Sequence, residues 1–262
     1  MNVFNNPVSR FPWRRAFIIL FWLVVWQVLA RLIRNPIVLV GPWETLGALR
    51  QLIPSADFWL SIAHSFQKIS LGFLAAFLAG ILLGSCAYGF PWLREFLEPV
   101  MILMRSIPVA SFVILALIWI GSGNLSVFIA FLVVLPMIYV NTLSGLNSTD
   151  KQLLEMAAVF RIPLRKKIRF IYFPALLPYV MNGCRIALGM GWKSGVAAEV
   201  IGLPANSIGE RLYMSKIYLE TADLFAWTFT IIVISSWSER LFLFLLSLFE
   251  RKGNTSHAGK PS

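Results

Sequence analysis

The chain has 262 residues, 58% of them hydrophobic and 13% charged, with a mass of 29.6 kDa and a mean hydropathy of +0.75. Soluble domains run about 45–50% apolar and about 25% charged, so a soluble enzyme and a disordered chain are both excluded. The net charge of +11 would suggest nucleic acid in a soluble protein. Here the cations crowd into short segments beside long apolar runs, as the cytoplasmic loops of a membrane protein do. Ten Trp and 21 Phe suit side chains that meet lipid and headgroups. Cys86 and Cys184 both lie inside apolar stretches, and two such cysteines make no disulfide framework.

In chain order, Arg10, Arg14 and Arg15 precede the first apolar run, Ala16–Ile33. It exceeds the roughly 7–15 residues of a signal-peptide core, and Arg31 and Arg34 close it without a small-residue cleavage site. A retained transmembrane helix is the expectation. Spanning by helix takes about 20 mostly apolar residues, and five further runs qualify: 69–88, 99–120, 125–140 with its flanks, 178–201 and 224–243. Six helices place both termini on one side. Arg94, the cluster Arg161, Arg165, Lys166, Lys167 and Arg169, and the pair Arg251 and Lys252 share that side with the N-terminal arginines. The opposite loops are sparsely charged or near balance. The Lys/Arg bias therefore predicts cytoplasmic termini, with residues 1–15 as the cytoplasmic N-terminus, 16–250 as one membrane domain and 251–262 as a polar tail. Residues 43–53 and 208–219 have mixed helical periodicity and read as short helices along the outer surface.

Charged and small residues inside the spans are the next signal. Gly183, Ala187, Gly191, Gly195 and Glu199 recur every four residues and so share a slowly drifting helical face. Small residues let a neighbouring helix backbone approach closely, and packing within the chain is favoured over a seam between chains. Gly80 and Gly84 form a shorter patch of the same kind. A charge in the hydrocarbon layer costs at least a few kcal/mol unless it finds a partner or water. Lys193 lies ~22 Å along its helix from Pro178, past the midplane, and Glu199 is ~9 Å further out. Lys68 enters from the outside to a similar depth. A Lys68–Glu199 pair with Lys193 facing a translocation cavity is one reading; snorkelling of Lys68 and Glu199 to the outer headgroups is the other. Glu239 and Arg240 reach the inner headgroups and anchor the last span. Gly189-Met-Gly-Trp-Lys-Ser194 has the look of a phosphate loop, but Trp192 stands where Walker A needs glycine and the segment lies in a span. No Cys/His cluster has metal-ligand spacing, and His64 and His257 are far apart.

The loop between the fourth and fifth runs carries the clearest pattern. Asp150 is placed to cap a helix over 151–160, whose Leu153, Leu154, Ala157 and Ala158 make an apolar face. Pro163 suits the first turn of a second helix over 164–172, and Pro174 and Pro178 are expected to break it before the membrane is re-entered. The product is a basic helical hairpin over 147–177. A headgroup-bound amphipathic hairpin fits the residues equally well.

This loop resembles the E-A-A-x3-G-x9-I-x-L-P pattern of permease subunits of binding-protein-dependent ABC importers. Glu155, Ala157, Ile171 and Pro174 match it at the right spacing, whereas Met156, Arg161 and Phe173 depart from it. Arg105-Ser-Ile-Pro108, Trp119-Ile-Gly121, Pro174-Ala-Leu-Leu-Pro178, Gly183-Cys-Arg185 and Ala198-Glu199 are similar to the sulfonate, taurine and nitrate branch of that family. The resemblance implies an all-α polytopic membrane protein, a six-helix type I ABC importer permease bundle in the bacterial inner membrane. It implies a homodimer, two cytoplasmic ABC ATPase subunits docked on the hairpins, and an extracytoplasmic solute-binding protein. Glu155, Ala157, Ala158, Arg161, Ile171 and Pro174 would couple to the ATPase; Lys193, Glu199 and Lys68 are the pathway candidates. The chain itself would be no enzyme and hold no cofactor, with ATP and Mg on the partner ATPase. A small organic anion or nitrate is the implied solute. Glycine at position 161 would permit φ > 0, so with arginine there the break is expected from Pro163, which holds Ile162 extended. An ion-gradient-driven carrier or channel is the alternative, and it calls for broken helices or several intramembrane acids. An intramembrane enzyme would need convergent polar catalytic groups, and none converge in these runs.

Overall fold

The computed structural model describes residues 12–254, and every regular element among them is helical. In order these are α1 (Pro12–Ile33), α2 (Pro42–Leu52), α3 (Ala56–Gly89), α4 (Pro91–Ser106), α5 (Val109–Ile120), α6 (Leu125–Asn147), α7 (Lys151–Val159), α8 (Leu164–Lys167), a π-helical turn (Ile168–Tyr172), α9 (Phe173–Gly202), α10 (Ile208–Ile217) and α11 (Thr221–Asn254). Expectations for Arg10, His257 and the tail beyond 254 fall outside the described residues, as do the side chains of Arg15, Arg251 and Lys252. Residues 251–254 belong to α11.

Within the described residues, α1, α3, α6 and α11 are each long and apolar enough to cross a membrane, and α4 with α5 would add a fifth span as a bent pair. The sixth expected span is α9. At 30 residues it is ~45 Å long, but its glycines, Lys193, Ser194 and Glu199 dilute its apolarity. The third expected span, 99–120, is corrected by the structure: it is two helices meeting at 105°. Ile107 is extended, with φ −74° and ψ 129°, because the ring of Pro108 disfavours the α conformation in the residue before it.

The chain divides into two compact units. One comprises the described residues through Trp59 with Arg211–Thr230; the other comprises Leu60–Glu210 with the chain from Ile231 on. In the first, the Trp26 indole donates to Val40 O at 2.9 Å and its ring lies 5.7 Å from Phe225. The Thr221 hydroxyl donates to Ile37 O, Phe58 packs on Trp227, and Arg211 lies 3.4 Å from Asp57. The residues expected as short outer helices are α2 and α10.

The second unit is built around α6, most of whose residues are buried. Gly80 and Gly84 of α3 let that helix close on α6: a Cβ at either would stand 2.8 Å from Ile138 or Thr142. From another side, Gly183 of α9 seats against Asn141 and Gly191 against Val134. The small-residue stripes therefore pack helices within the chain, where dispersion between close backbones replaces the hydrophobic effect that lipid removes. Phe73 meets Phe242 edge-on at 4.9 Å, and the Trp192 indole donates to the Ser238 hydroxyl at 3.2 Å. These contacts fasten α11 to α3 and α9.

Candidate functional site

The hairpin over 147–177 begins where its residues dictate. The Asp150 carboxylate accepts from the Gln152 N–H at 2.8 Å, satisfying one orphan donor at the start of α7. At the other end, Ile162 N–H bonds to Ala157 O at 2.9 Å and Arg161 N–H to Ala158 O at 3.0 Å. This six-to-one and five-to-two pair is a Schellman closure, which demands a left-handed residue just past the helix. Arg161 supplies it, with φ +50°. The expected proline-made break is thus corrected: the left-handed turn is kept although no glycine stands there. Pro163 follows in extended conformation and opens α8.

A second correction concerns what comes next. Pro174 and Pro178 do not break the chain before the membrane helix. The π turn absorbs the first of them: Phe173 N–H reaches back five residues to Ile168 O, and the wider turn accommodates a ring that has no N–H to donate. Leu164 to Gly202 therefore runs as one helical arm, so the second arm of the hairpin is the lower end of α9's own rod. Tyr172 packs edge-on against Tyr88 of α3 at 5.8 Å.

The coupling candidates fall in different places on this hairpin. Glu155, Ala158, Arg161 and Pro174 are exposed and Ile171 is half-buried, whereas Ala157 is fully buried beneath the closure. Three residues that sequence reasoning passed over stand out at the tip: Val159, Phe160 and Leu164 are 79%, 73% and 67% exposed. They sit beside Arg161, Arg165 and Lys166, so the tip combines exposed apolar surface with a basic rim. Their signal was in the sequence, as apolar residues just off the α7 face and next to a proline turn.

The intramembrane charges are arranged differently from the expected pair. Lys68 donates to the Asn124 side-chain carbonyl at 2.9 Å, tying α3 to the start of α6. Glu199 is fully buried and accepts from the Ser65 hydroxyl at 2.7 Å and from the Gly209 N–H at 3.3 Å. The Ser65 oxygen in turn accepts from Ile208 N–H at 2.9 Å. The carboxylate therefore occupies the N-terminus of α10, where orphan N–H groups and the helix dipole favour a negative charge. With no exposed atoms it lines no open path in this conformation. Lys193 is exposed on α9, and no ion pair joins it to another described residue. Of the three pathway candidates, only Lys193 stands on an open face with no ion pair to another described residue.

Comparison with known proteins adds a second line of observation. Residues 76–252 match the family described as binding-protein-dependent transport system inner membrane component. The chain is 27% identical over 249 residues to the Bacillus subtilis permease SsuC, named for aliphatic sulfonates transport, covering 93% of this chain and 88% of that one. It is 30% identical over 203 residues to the taurine transport system permease protein TauC of Escherichia coli, with 72% and 74% covered. Against the nitrate import permease protein NrtB of Synechococcus elongatus it is 31% identical over 148 residues, 56% of this chain and 53% of that one.

Proposed function

Because the chain belongs to the family of binding-protein-dependent transport system inner membrane components, we propose that it forms the membrane pathway by which an ATP-driven importer takes up a small anion. It is a multi-pass inner-membrane permease subunit rather than an enzyme. A cytoplasmic ABC ATPase supplies the energy and binds ATP and Mg, and an extracytoplasmic binding protein delivers the solute. Two copies of the chain would enclose the pathway, with both termini in the cytoplasm. Sulfonates, taurine and nitrate, for which the relatives are named, share a compact anionic group, and an unpaired lysine on a membrane helix suits such a group.

The observation that carries this reading is the hairpin's construction. A capped first helix, a closed turn and an unbroken second arm give a stiff lever whose exposed tip, Val159, Phe160 and Leu164, matches a protein partner better than solvent. Force applied by an ATPase at the tip would pass through Leu164–Gly202 into the membrane without a flexible joint. An ion-driven carrier would use intramembrane acids, and Glu199 is already held by Ser65 and α10.

The test is co-purification in mild detergent. Wild type is expected to retain an ATPase subunit, and Phe160→Glu with Leu164→Glu is expected to lose it while the permease stays monodisperse. Equal recovery of the ATPase with wild type and variant would overturn the docking assignment. Purification of the wild type alone would overturn the importer reading itself.

A further inference from the structure

Helix α9 is packed on three sides and open on the fourth. Gly183 and Gly191 close on α6, Gly195 on Ile69 of α3, and Trp192 and Arg185 on α11, the latter 3.8 Å from Glu239. The remaining face carries Asn182, Ile186, Gly189, Met190, Lys193 and Ala197, exposed but for a half-buried Gly189. Successive steps of three and four residues keep these six in one stripe, with Lys193 near its middle. Gly189 and Ala197, one turn to either side, leave the ammonium unobstructed; a Cβ added at Gly189 would meet nothing within 4 Å.

This stripe has the wrong chemistry for lipid. The exposed surface of α1 shows what a lipid-type face is in this chain: Phe17, Ile18, Leu20, Phe21 and Trp22, with no charge between Ala16 and Ala30. A lysine flanked on its own face by Gly189, Met190 and Ala197, placed past the middle of a membrane helix, would lose several kcal/mol against hydrocarbon. No acid answers it on its own helix face. Glu199 points to another side and is bound by Ser65, while Glu239 is engaged by Arg185. We propose that the open stripe centred on Lys193 is a contact site for a small oxyanion crossing the membrane, the ammonium supplying the charge and the small neighbours the room. The proposal rests on the permease reading and deepens it by assigning the charge selection to a residue of this subunit.

Cysteine labelling tests it without the ATPase or the binding protein. Ala197→Cys, in a Cys86→Ala, Cys184→Ala background, is treated in membranes with anionic sulfonatoethyl methanethiosulfonate and, separately, with cationic trimethylammonioethyl methanethiosulfonate. The anionic reagent is expected to react faster, and adding Lys193→Met is expected to lower the anion-to-cation rate ratio about tenfold, as a unit charge roughly 6 Å away gives on a wet face with a dielectric close to that of water. Lys193→Arg is expected to restore the ratio. No reaction with either reagent would mean that lipid or a second copy covers the face, and would overturn the site. A ratio unchanged by Lys193→Met would show a wet face on which the lysine selects nothing, and would overturn it equally. Either failure leaves co-purification of the ATPase untouched, so the permease reading stands or falls separately.

Discussion

Arg161 stands in a left-handed conformation that a residue with a side chain adopts at a cost of about 1 kcal/mol or more relative to glycine. The hairpin bears that strain because two backbone bonds, Ile162 to Ala157 and Arg161 to Ala158, require the turn. Arg161→Gly should therefore stabilise the closure by about 1 kcal/mol and slow hydrogen exchange at the Ile162 amide about fivefold, while Arg161→Val should accelerate it. Unchanged exchange in both variants would mean that the turn is not strained. The loop pattern made position 161 legible as a turn, but the residue there suggested that the turn had moved to Pro163. Hydrogen-bond closure outweighed side-chain preference. Glu199 teaches the same lesson at longer range. Its charge and depth were readable, yet its partners, Ser65 and the Gly209 amide of α10, lie 134 and 10 residues away in the chain, and charge alone pointed to Lys68.

At the scale of elements, α9 separates two uses of glycine. Gly195 lies where a Cβ would stand 2.7 Å from Ile69 Cγ1, whereas Gly189 faces open space. Both are interior to the helix, so Gly→Ala brings the same propensity gain of about 0.5–1 kcal/mol at each. Gly189→Ala should raise the midpoint of thermal unfolding in detergent. Gly195→Ala should lower it, because overpacking costs about 1–3 kcal/mol. Equal shifts in the two variants would refute the close approach of α9 to α3. Sequence spacing already set Gly195 on the small-residue stripe and left Gly189 off it, but it could not say which helix the stripe would meet: Gly183 and Gly191 close on α6 and Gly195 on α3. The α4–α5 corner was legible in part: Ser106-Ile107-Pro108 carries a breaker, but an apolar run of spanning length concealed it. The reverse held at Pro174, where a breaker was visible and the π turn absorbed it.

For the molecule as a whole, the distribution of Lys and Arg argues for termini on the cytoplasmic side. The hairpin's basic rim would then face the ATPase and α10 would face outward. Reporter fusions that are active only in the cytoplasm should be active after residue 254 and after Val159, and silent within residues 219–221. Activity at the outer position would reverse the orientation and with it the docking of both partners. The membrane class, the apolar runs and the position of the hairpin were determined by the sequence by itself, because composition, charge bias, caps and short-range periodicity belong to contiguous residues. The tertiary structure decided which helices the stripe glycines meet, what binds Lys68 and Glu199, which hairpin residues reach the tip, and that Lys193 occupies an open face. Those outcomes depend on side chains brought together from distant parts of the chain, where packing and hydrogen-bond satisfaction override local preference.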